Sequence, residues 1–275
     1  ATATRRNHRS RDGRERVSFV WNQLFMTQHD RTERLLGKEA LSRLRAACVT
    51  VFGLGGVGSS CVEALARSGL GHLRLVDHDT IHESNCNRQL HALHSTVGLP
   101  KAQVMKQRVL DIDPTLQVEA FCTFFAQDTA NDLLEPPTHC VVDAIDAMGP
   151  KVELLSRCKS LGIPVISALG AGGRLDPTQI RVAPLDQTVG DPLAARVRKL
   201  LRRRGTLDGI TAVYSLEPPR IAATAPILSR DLFRGRQRII QPSMLMVPAA
   251  MGLAIAYEVI RTIALDPSIN DGPTS

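Results

Sequence analysis

The chain has 275 residues, of which 43% are apolar and 22% charged, and its formal net charge at pH 7 is +7. This balance is typical of a soluble globular protein and excludes a wholly disordered chain, a collagen and a coiled-coil rod. The most apolar stretch, residues 244–257, is shorter than the roughly 20 residues that a membrane-spanning helix needs. We therefore predict a buried helix there and no integral membrane span.

Strand-like and helix-like segments alternate along the chain. Residues 1–26 form an Arg-rich arm that we expect to be flexible, and an amphipathic helix is predicted over 33–46. Strands are predicted at 48–53, 72–77, 117–122, 140–143 and 165–169, and helices at 56–68, 87–93, 100–111, 128–134 and 150–161. After Gly173 the alternation is less regular. Strands are predicted at 179–183, 211–215 and 237–240, a basic helix at 192–204 and a buried helix after Pro248.

This alternation predicts the fold class. Strands separated by helices of 10–15 residues are typical of an α/β fold, here a Rossmann-like, doubly wound, mainly parallel sheet with helices on both faces. The sequence shows no internal repeat and no low-complexity linker. We therefore expect one domain over residues 27–265, followed by a tail at 266–275.

The positive charge is concentrated in two segments. Residues 1–34 carry a net charge of +4, and residues 191–238 carry +7. From charge alone, a polyanionic partner and a solvated basic surface explain this asymmetry equally well. The basic residues of the second segment are Arg196, Arg198, Lys199, Arg202, Arg203, Arg204, Arg220, Arg230, Arg234, Arg236 and Arg238.

Six cysteines are scattered through the chain without a CxxC pair, and some of them, such as Cys48 and Cys140, lie in strand-like runs. This pattern predicts reduced, buried thiols in an intracellular, reducing compartment and argues against a disulfide framework or a four-cysteine zinc site. We expect the cytoplasm. The acid-poor, Arg-rich opening leaves a mitochondrial or other organellar location as the alternative.

A glycine-rich turn indicates a nucleotide site. Gly53, Gly55, Gly56 and Gly58 follow a predicted strand and open a predicted helix, as in the dinucleotide-binding fingerprint, whose helix N-terminus binds phosphate. Asp77 ends the next strand, where an acid is expected to bind ribose hydroxyls. These residues alone leave open an NAD-dependent oxidoreductase and a nucleotide site without redox chemistry.

The following segments favour cleavage of a triphosphate. Arg88 and Lys101 come after the second strand, where cations can neutralise the charge of departing pyrophosphate. Asp143 and Asp146 end another strand, at the sheet edge where ligands of doubly wound folds bind. A carboxylate there can hold Mg²⁺ against phosphates.

These motifs resemble the adenylating superfamily of ThiF, MoeB, HesA and the ubiquitin-activating enzymes. Further segments resemble its branch of tRNA threonylcarbamoyladenosine dehydratases, the TcdA branch. The matching segments are RTERLLG at 31–37, NCNRQLHAL at 85–93, DAID at 143–146 followed by PK at 150–151, GAGGRLDPT at 170–178 and DPLA at 191–194. The resemblance implies an ATP-dependent adenylating fold with Mg²⁺, and it covers most of residues 27–204.

The resemblance also implies roles for individual residues. Asp77 would hold the ribose, Asn85, Arg88 and Lys101 would contact the phosphates, and Asp146 would bind Mg²⁺ and support adenylation. An N-terminal Arg of this superfamily reaches into the neighbouring subunit's site, and Arg31 matches it best, with Arg34 second, which implies a homodimer. The paired CxxC motifs of MoeB-like members are absent, and residues 205–243 match the bacterial dehydratases only loosely.

Three functional hypotheses follow. In the first, the enzyme adenylates the threonyl carboxylate of threonylcarbamoyladenosine in tRNA and closes a ring, and the basic segment 191–238 binds the RNA backbone. In the second, it activates the C-terminus of a ubiquitin-like or sulfur-carrier protein; the lack of cysteine in residues 159–275 weakens this hypothesis without excluding it. In the third, the chain is a non-catalytic nucleotide-binding scaffold, which the complete set of Asn85, Arg88, Lys101 and Asp146 opposes.

Overall fold

The computed structural model describes residues 4–8, 16–20, 27–134, 138–220 and 241–265. The strands of these residues are β1 (Thr4–His8), β2 (Arg16–Val20), β3 (Cys48–Phe52), β4 (His72–Val76), β5 (Gln117–Phe121), β6 (Cys140–Asp143), β7 (Val165–Ala168), β8 (Ile180–Pro184) and β9 (Ile210–Ser215). Their α-helices are α1 (Asp30–Leu36), α2 (Lys38–Ala46), α3 (Gly56–Ser68), α4 (Lys101–Ile112), α5 (Ala130–Leu134), α6 (Met148–Leu161), α7 (Pro192–Arg204) and α8 (Met246–Ala264).

The seven strands from β3 to β9 form one sheet in the order β5-β4-β3-β6-β7-β9-β8. All neighbours pair in parallel except β8, which runs antiparallel to β9 at one edge. The chain winds outward from β3 in one direction and from β6 in the other, so the strand order reverses between these two strands. The predicted doubly wound fold is confirmed. Ligands of such folds bind at the carboxyl ends of the strands between which the order reverses, which are β3 and β6 here.

Three predicted elements differ from the structure. The helix predicted over 33–46 is divided into α1 and α2 at Gly37, whose φ of +87° is incompatible with a continuous right-handed helix. The helix predicted at 87–93 is absent: these residues form turns and irregular backbone, flanked by short 3₁₀ turns at Glu83–Asn85 and His94–Thr96. The arm contains a hairpin in which β1 and β2 pair antiparallel.

Some predictions lie wholly or partly outside the described residues. These are the flexible state of the rest of the arm, the strand at 237–240 and the tail at 266–275.

The last helix packs in the core. Its residues Val247, Met251, Ile255 and Val259 recur every fourth position and are fully buried. At 19 residues and a mean hydropathy of 1.4, α8 is also the one helix of the described ranges that could cross a membrane by length and composition. Its apolar stripe is covered by α3 and the sheet, which accounts for its apolar character without a membrane.

Helices α3 and α8 approach most closely at Gly252. A Cβ built on this residue would lie 2.5 Å from the carbonyl oxygen of Val57 and 2.7 Å from the Cβ of Ser60. Since the first obstacle is backbone, the helices must separate to admit any side chain. Glycine at this position is what lets α8 lie directly on α3.

We predict that Gly252→Val lowers the free energy of unfolding by about 3 kcal/mol, because overpacking forces α8 away from α3. Thermal denaturation would show this as a Tm lower by about 6 °C or more. Leu253→Ala is the matched control, since the Leu253 side chain is 57% exposed and its loss should change stability by less than about 1 kcal/mol. Equal Tm values for the two variants would contradict the prediction.

Candidate active site

The glycine turn lies between the ends of β3 and β6. Gly53 has a φ of +88°, and a Cβ on it would lie 2.6 Å from the carbonyl oxygen of Ala144. A Cβ on Gly58 would overlap the carbonyl oxygen of Gly53, so α3 can start this close to the strand only with glycine there. A Cβ on Gly56 would meet Pro248 at 2.9 Å, whereas Gly55 has no heavy atom of the described residues within 4 Å of its Cβ position.

This geometry gives two of the glycines distinct structural roles. Gly53 makes the tight turn, and Gly58 allows close packing of α3. The space in front of Gly55, at the N-terminus of α3, is where a phosphate group would approach the backbone.

Asp77 holds the glycine turn in place. Its Oδ2 accepts a hydrogen bond of 2.6 Å from the backbone N–H of Leu54, and its Oδ1 accepts one of 2.9 Å from that of Asp79. Burial raises the pKa of Asp77, and the Lys101 ammonium acts in the opposite direction. Because each carboxylate oxygen has a second lone pair, Asp77 retains the capacity to bind the ribose hydroxyls that the sequence assigns to it.

Lys101 begins α4 and is only 5% exposed. Its Nζ lies 2.8 Å from Oδ2 of Asp79. Burial alone would raise the pKa of Asp79, but the adjacent Lys101 ammonium holds this pKa below its ordinary value. Asp79 was not identified from the sequence; its position two residues after Asp77, at the same strand end, is the signal that could have revealed it.

Residues that the sequence predicts to bind phosphate and metal lie at the same edge of the sheet as the glycine turn. The carbonyl oxygen of Arg88 would lie 3.1 Å from a Cβ on Gly56. Burial lowers the pKa of Arg88, while the carboxylate of Asp146 acts to raise it. Asn85 is buried, and its Oδ1 accepts a hydrogen bond of 3.1 Å from the backbone of His82.

Arg31 is not brought to this site within its own chain. It is exposed in the first turn of α1, two residues after His29, whose Nε2 is 2.9 Å from Oδ2 of Asp113 at the end of α4. Since α4 starts at the carboxyl edge of the sheet, its end and Arg31 belong to the opposite edge. Any contact of Arg31 with an active site would have to be made in a second subunit.

The site is compatible with magnesium. Mg²⁺ in nucleotide sites is held by one or two carboxylates together with phosphates and water. The exposed carboxylate of Asp146 is at the carboxyl edge near Arg88 and fits this requirement. Asp77, His78 and Asp79 also bring their ligand atoms within 4.8 Å of one another, but Asp77 binds two backbone N–H groups and Asp79 binds Lys101.

A fully buried ion pair lies beneath Asp146. Nζ of Lys151 is 2.5 Å from Oδ2 of Asp143 and 2.8 Å from the carbonyl oxygen of Ala168, and all three groups are inaccessible or nearly so. The same carboxylate accepts hydrogen bonds from Ser167 Oγ at 2.6 Å and from the backbone of Ile145 at 3.1 Å. Together these bonds fix both ends of the turn that carries Asp146.

A second buried group orders the loop after β7. The guanidinium of Arg174 donates to Oδ2 of Asp191 at 2.9 Å, to the carbonyl oxygen of Glu217 at 2.7 Å and to that of Gly170. The neighbouring Gly173 accepts a backbone hydrogen bond from Arg220 and donates one to Pro242, each 2.7 Å long. The sequence shows these residues only as parts of motifs, because their spacing does not reveal which side chains form hydrogen bonds with each other.

His91 is buried close to the cations of the site. It is 1% exposed, and neither ring nitrogen has a hydrogen-bond partner among the described residues. Burial lowers the pKa of His91 to about 4, and the charges of Lys101 and Arg108 act in the same direction. The imidazole is therefore neutral in the folded protein at pH 7.

We predict that Lys151→Met lowers the free energy of unfolding by about 3–5 kcal/mol, because it leaves the Asp143 carboxylate buried without its partner. The double variant Asp143→Asn/Lys151→Met removes both charges and keeps an acceptor for Ile145, so it should recover at least half of that loss. Chemical denaturation measures both values. A double variant as unstable as the single one would show that the charge pairing is not the cause.

A pH dependence follows from His91. Its pKa is lower in the folded than in the unfolded chain, so the unfolded state takes up a proton first, and stability decreases as the pH falls from about 6.5 to 4. The expected loss from this residue is about 3 kcal/mol. Denaturation curves at several pH values should therefore decline less steeply for His91→Leu than for the wild type; parallel declines would refute this assignment.

Comparisons with known proteins identify the family of this chain. A tRNA threonylcarbamoyladenosine dehydratase of Bacillus subtilis is 38% identical over 245 residues, which are 88% of this chain and 96% of that protein. Its Escherichia coli counterpart is 40% identical over 209 residues, 73% of this chain and 76% of that protein. The crystal structure of E. coli TcdA in complex with ATP superimposes with a TM-score of 0.75 and 34% identity, covering 88% of this chain and 96% of that one. The profile of the ThiF family matches residues 29–273, and the chain belongs to the ThiF family.

Proposed function

We propose that this chain catalyses the ATP-dependent dehydration of threonylcarbamoyladenosine next to the tRNA anticodon. The observation that carries the proposal is the convergence of the glycine turn, Arg88 and Asp146 at the carboxyl ends of β3 and β6. The bacterial relatives described above bear the name of this activity over most of their length, and TcdA of E. coli binds ATP in the same fold.

The reaction has to overcome the poor electrophilicity of a carboxylate, from which hydroxide cannot leave. The threonyl carboxylate attacks the α-phosphorus of ATP, and the bond to pyrophosphate breaks. The carbamoyl nitrogen of the same side chain then attacks the acyl-adenylate and loses its proton as AMP leaves, so the net loss is one water. Because both groups belong to one side chain, the effective molarity reaches about 10⁵ M.

The chain's own residues bind and orient the reactants. The backbone N–H groups at the start of α3, in front of Gly55, bind phosphate oxygens. Arg88 and Lys101 neutralise the charge that develops on departing pyrophosphate, and Asn85 adds an amide contact. Asp146 would hold Mg²⁺, which would supply charge neutralisation at the phosphates.

The assembly we propose is a homodimer of single adenylating domains spanning residues 27–265. One observation supports it: Arg31 is exposed at the edge of the sheet opposite its own site. The described cysteines are all free thiols, as expected for a protein that acts in the reducing cytoplasm. The relatives reported above are bacterial proteins and give no support to an organellar location.

The decisive experiment incubates the protein with ATP, Mg²⁺ and tRNA that carries threonylcarbamoyladenosine. Mass spectrometry of the digested nucleosides should show a product lighter by one water that forms only with ATP. Asp146→Ala and Lys101→Ala should each slow its formation about 10²–10³-fold, because each removes a group that stabilises charge at the phosphates.

Lys106→Ala is the matched control, since Lys106 lies on the same helix as Lys101 and makes no ion pair among the described residues. This variant should retain wild-type activity. Wild-type protein that leaves the nucleoside mass unchanged, but exchanges pyrophosphate when given a sulfur-carrier or ubiquitin-like protein, would transfer the assignment to activation of such a protein.

A further inference from the structure

Helix α7 has one buried apolar face and one exposed basic face. Ala194, Val197 and Leu201 are fully buried in the core beneath it. The helix contains no acidic residue. Its exposed cations, none of which has an ion-pair or hydrogen-bond partner among the described residues, are Arg196, Lys199, Arg202 and Arg203.

The other two arginines of α7 serve the fold. The Nη1 of Arg198 donates a hydrogen bond of 2.6 Å to the carbonyl oxygen of Thr188. Arg204 lies 2.8 Å from Oε2 of Glu153 on α6. The structure thus divides the basic residues of this helix into two that hold it in place and four that face outward, a distinction that the sequence does not show.

The position of α7 relative to the candidate active site is fixed by Asp191. Its Oδ1 caps the helix by accepting a hydrogen bond of 2.8 Å from the backbone of Ala194. Its Oδ2 accepts one of 3.1 Å from the backbone of Gly170, which follows β7 at the carboxyl edge, and it binds Arg174. The exposed face therefore starts at the edge of the sheet that carries the site and extends about 20 Å along the helix.

The spacing of the four cations suits a run of phosphates. Arg196, Lys199 and Arg203 are at positions i, i+3 and i+7, so they form a stripe about 10 Å long, with Arg202 beside it. The α7 segment contains no aromatic side chain for base stacking. Such a surface binds a nucleic-acid backbone through charge and without regard to sequence.

We propose that the exposed face of α7 binds the phosphate backbone of the tRNA stem beside the modified nucleotide, while that nucleotide enters the site at the carboxyl edge. This inference rests on the proposed function and adds the surface by which the substrate is held. Asp191 fixes the helix to the loop after β7. The position of the RNA backbone on α7 is therefore fixed relative to the reacting nucleotide.

The test compares two variants with equal loss of charge. Arg196→Ala/Lys199→Ala changes the proposed surface, and Arg45→Ala/Arg67→Ala removes two exposed arginines from the ends of α2 and α3. Filter binding of tRNA carrying threonylcarbamoyladenosine is measured over a series of salt concentrations, and dehydration is measured at varied tRNA and ATP. Thermal denaturation checks that both variants are folded.

We expect the α7 variant to reduce the slope of log affinity against log salt by about two, one for each phosphate that the variant no longer neutralises. Its KM for tRNA should rise, whereas its kcat at saturating tRNA and its KM for ATP should stay at wild-type values. The control variant should match the wild type in every measurement.

An α7 variant with unchanged salt slope and unchanged KM for tRNA would overturn the inference, as would an equal effect of the control variant. Failure of the proposed function gives a different result: the wild type then dehydrates no tRNA at all. In that event the binding measurements still decide whether α7 is a surface for RNA.

Discussion

The buried pair of Lys151 and Asp143 is the interaction on which the site depends. A carboxylate at the end of β6 would be costly to bury alone, and so would an ammonium group. Paired with each other and bonded to Ser167, Ala168 and Ile145, they join the ends of two neighbouring strands to the start of α6. A buried ion pair is weak support for stability, since apolar residues often serve as well. Its contribution here is geometric: it specifies one conformation for the turn that presents Asp146.

The rest of the candidate site is built around that turn. Ala144, immediately after Asp143, occupies the space that any side chain at Gly53 would need, so the β6 turn and the glycine turn constrain each other. Asp77 adds a third constraint through its bond to Leu54. These contacts hold the backbone at the carboxyl ends of three strands in one arrangement. Catalysis by positioning and electrostatics requires such a preorganised arrangement.

In the protein without nucleotide, the cations at these strand ends already interact with carboxylates. Lys101 is accompanied by Asp79, and Arg88 by Asp146. In the function we propose, a nucleotide triphosphate and a magnesium ion would bind at the same place. Phosphates would then replace these carboxylates as partners of the two cations, so that neither cation would be left buried and uncompensated.

Much of the fold followed from local pattern. Apolar runs and glycine positions predicted the strands from β3 to β7 and helices such as α3 and α4, because periodicity and turn chemistry are properties of neighbouring residues. The division at Gly37 was missed because amphipathic spacing continues across it. Lys151 and Arg174 acquire their roles from partners 8 to 43 residues away in the chain. No local pattern encodes such pairs, so their function could be read only from the structure.

The backbone of Gly173 joins Arg220 and Pro242, so the chain leaves and returns at a single point. The described part of the chain therefore holds Arg220 and Pro242 close together. The entropy of closing a loop grows only with the logarithm of its length, by about 0.6 kcal/mol for each doubling. Between two anchors that are held together in this way, evolution could lengthen or shorten the chain at little thermodynamic cost.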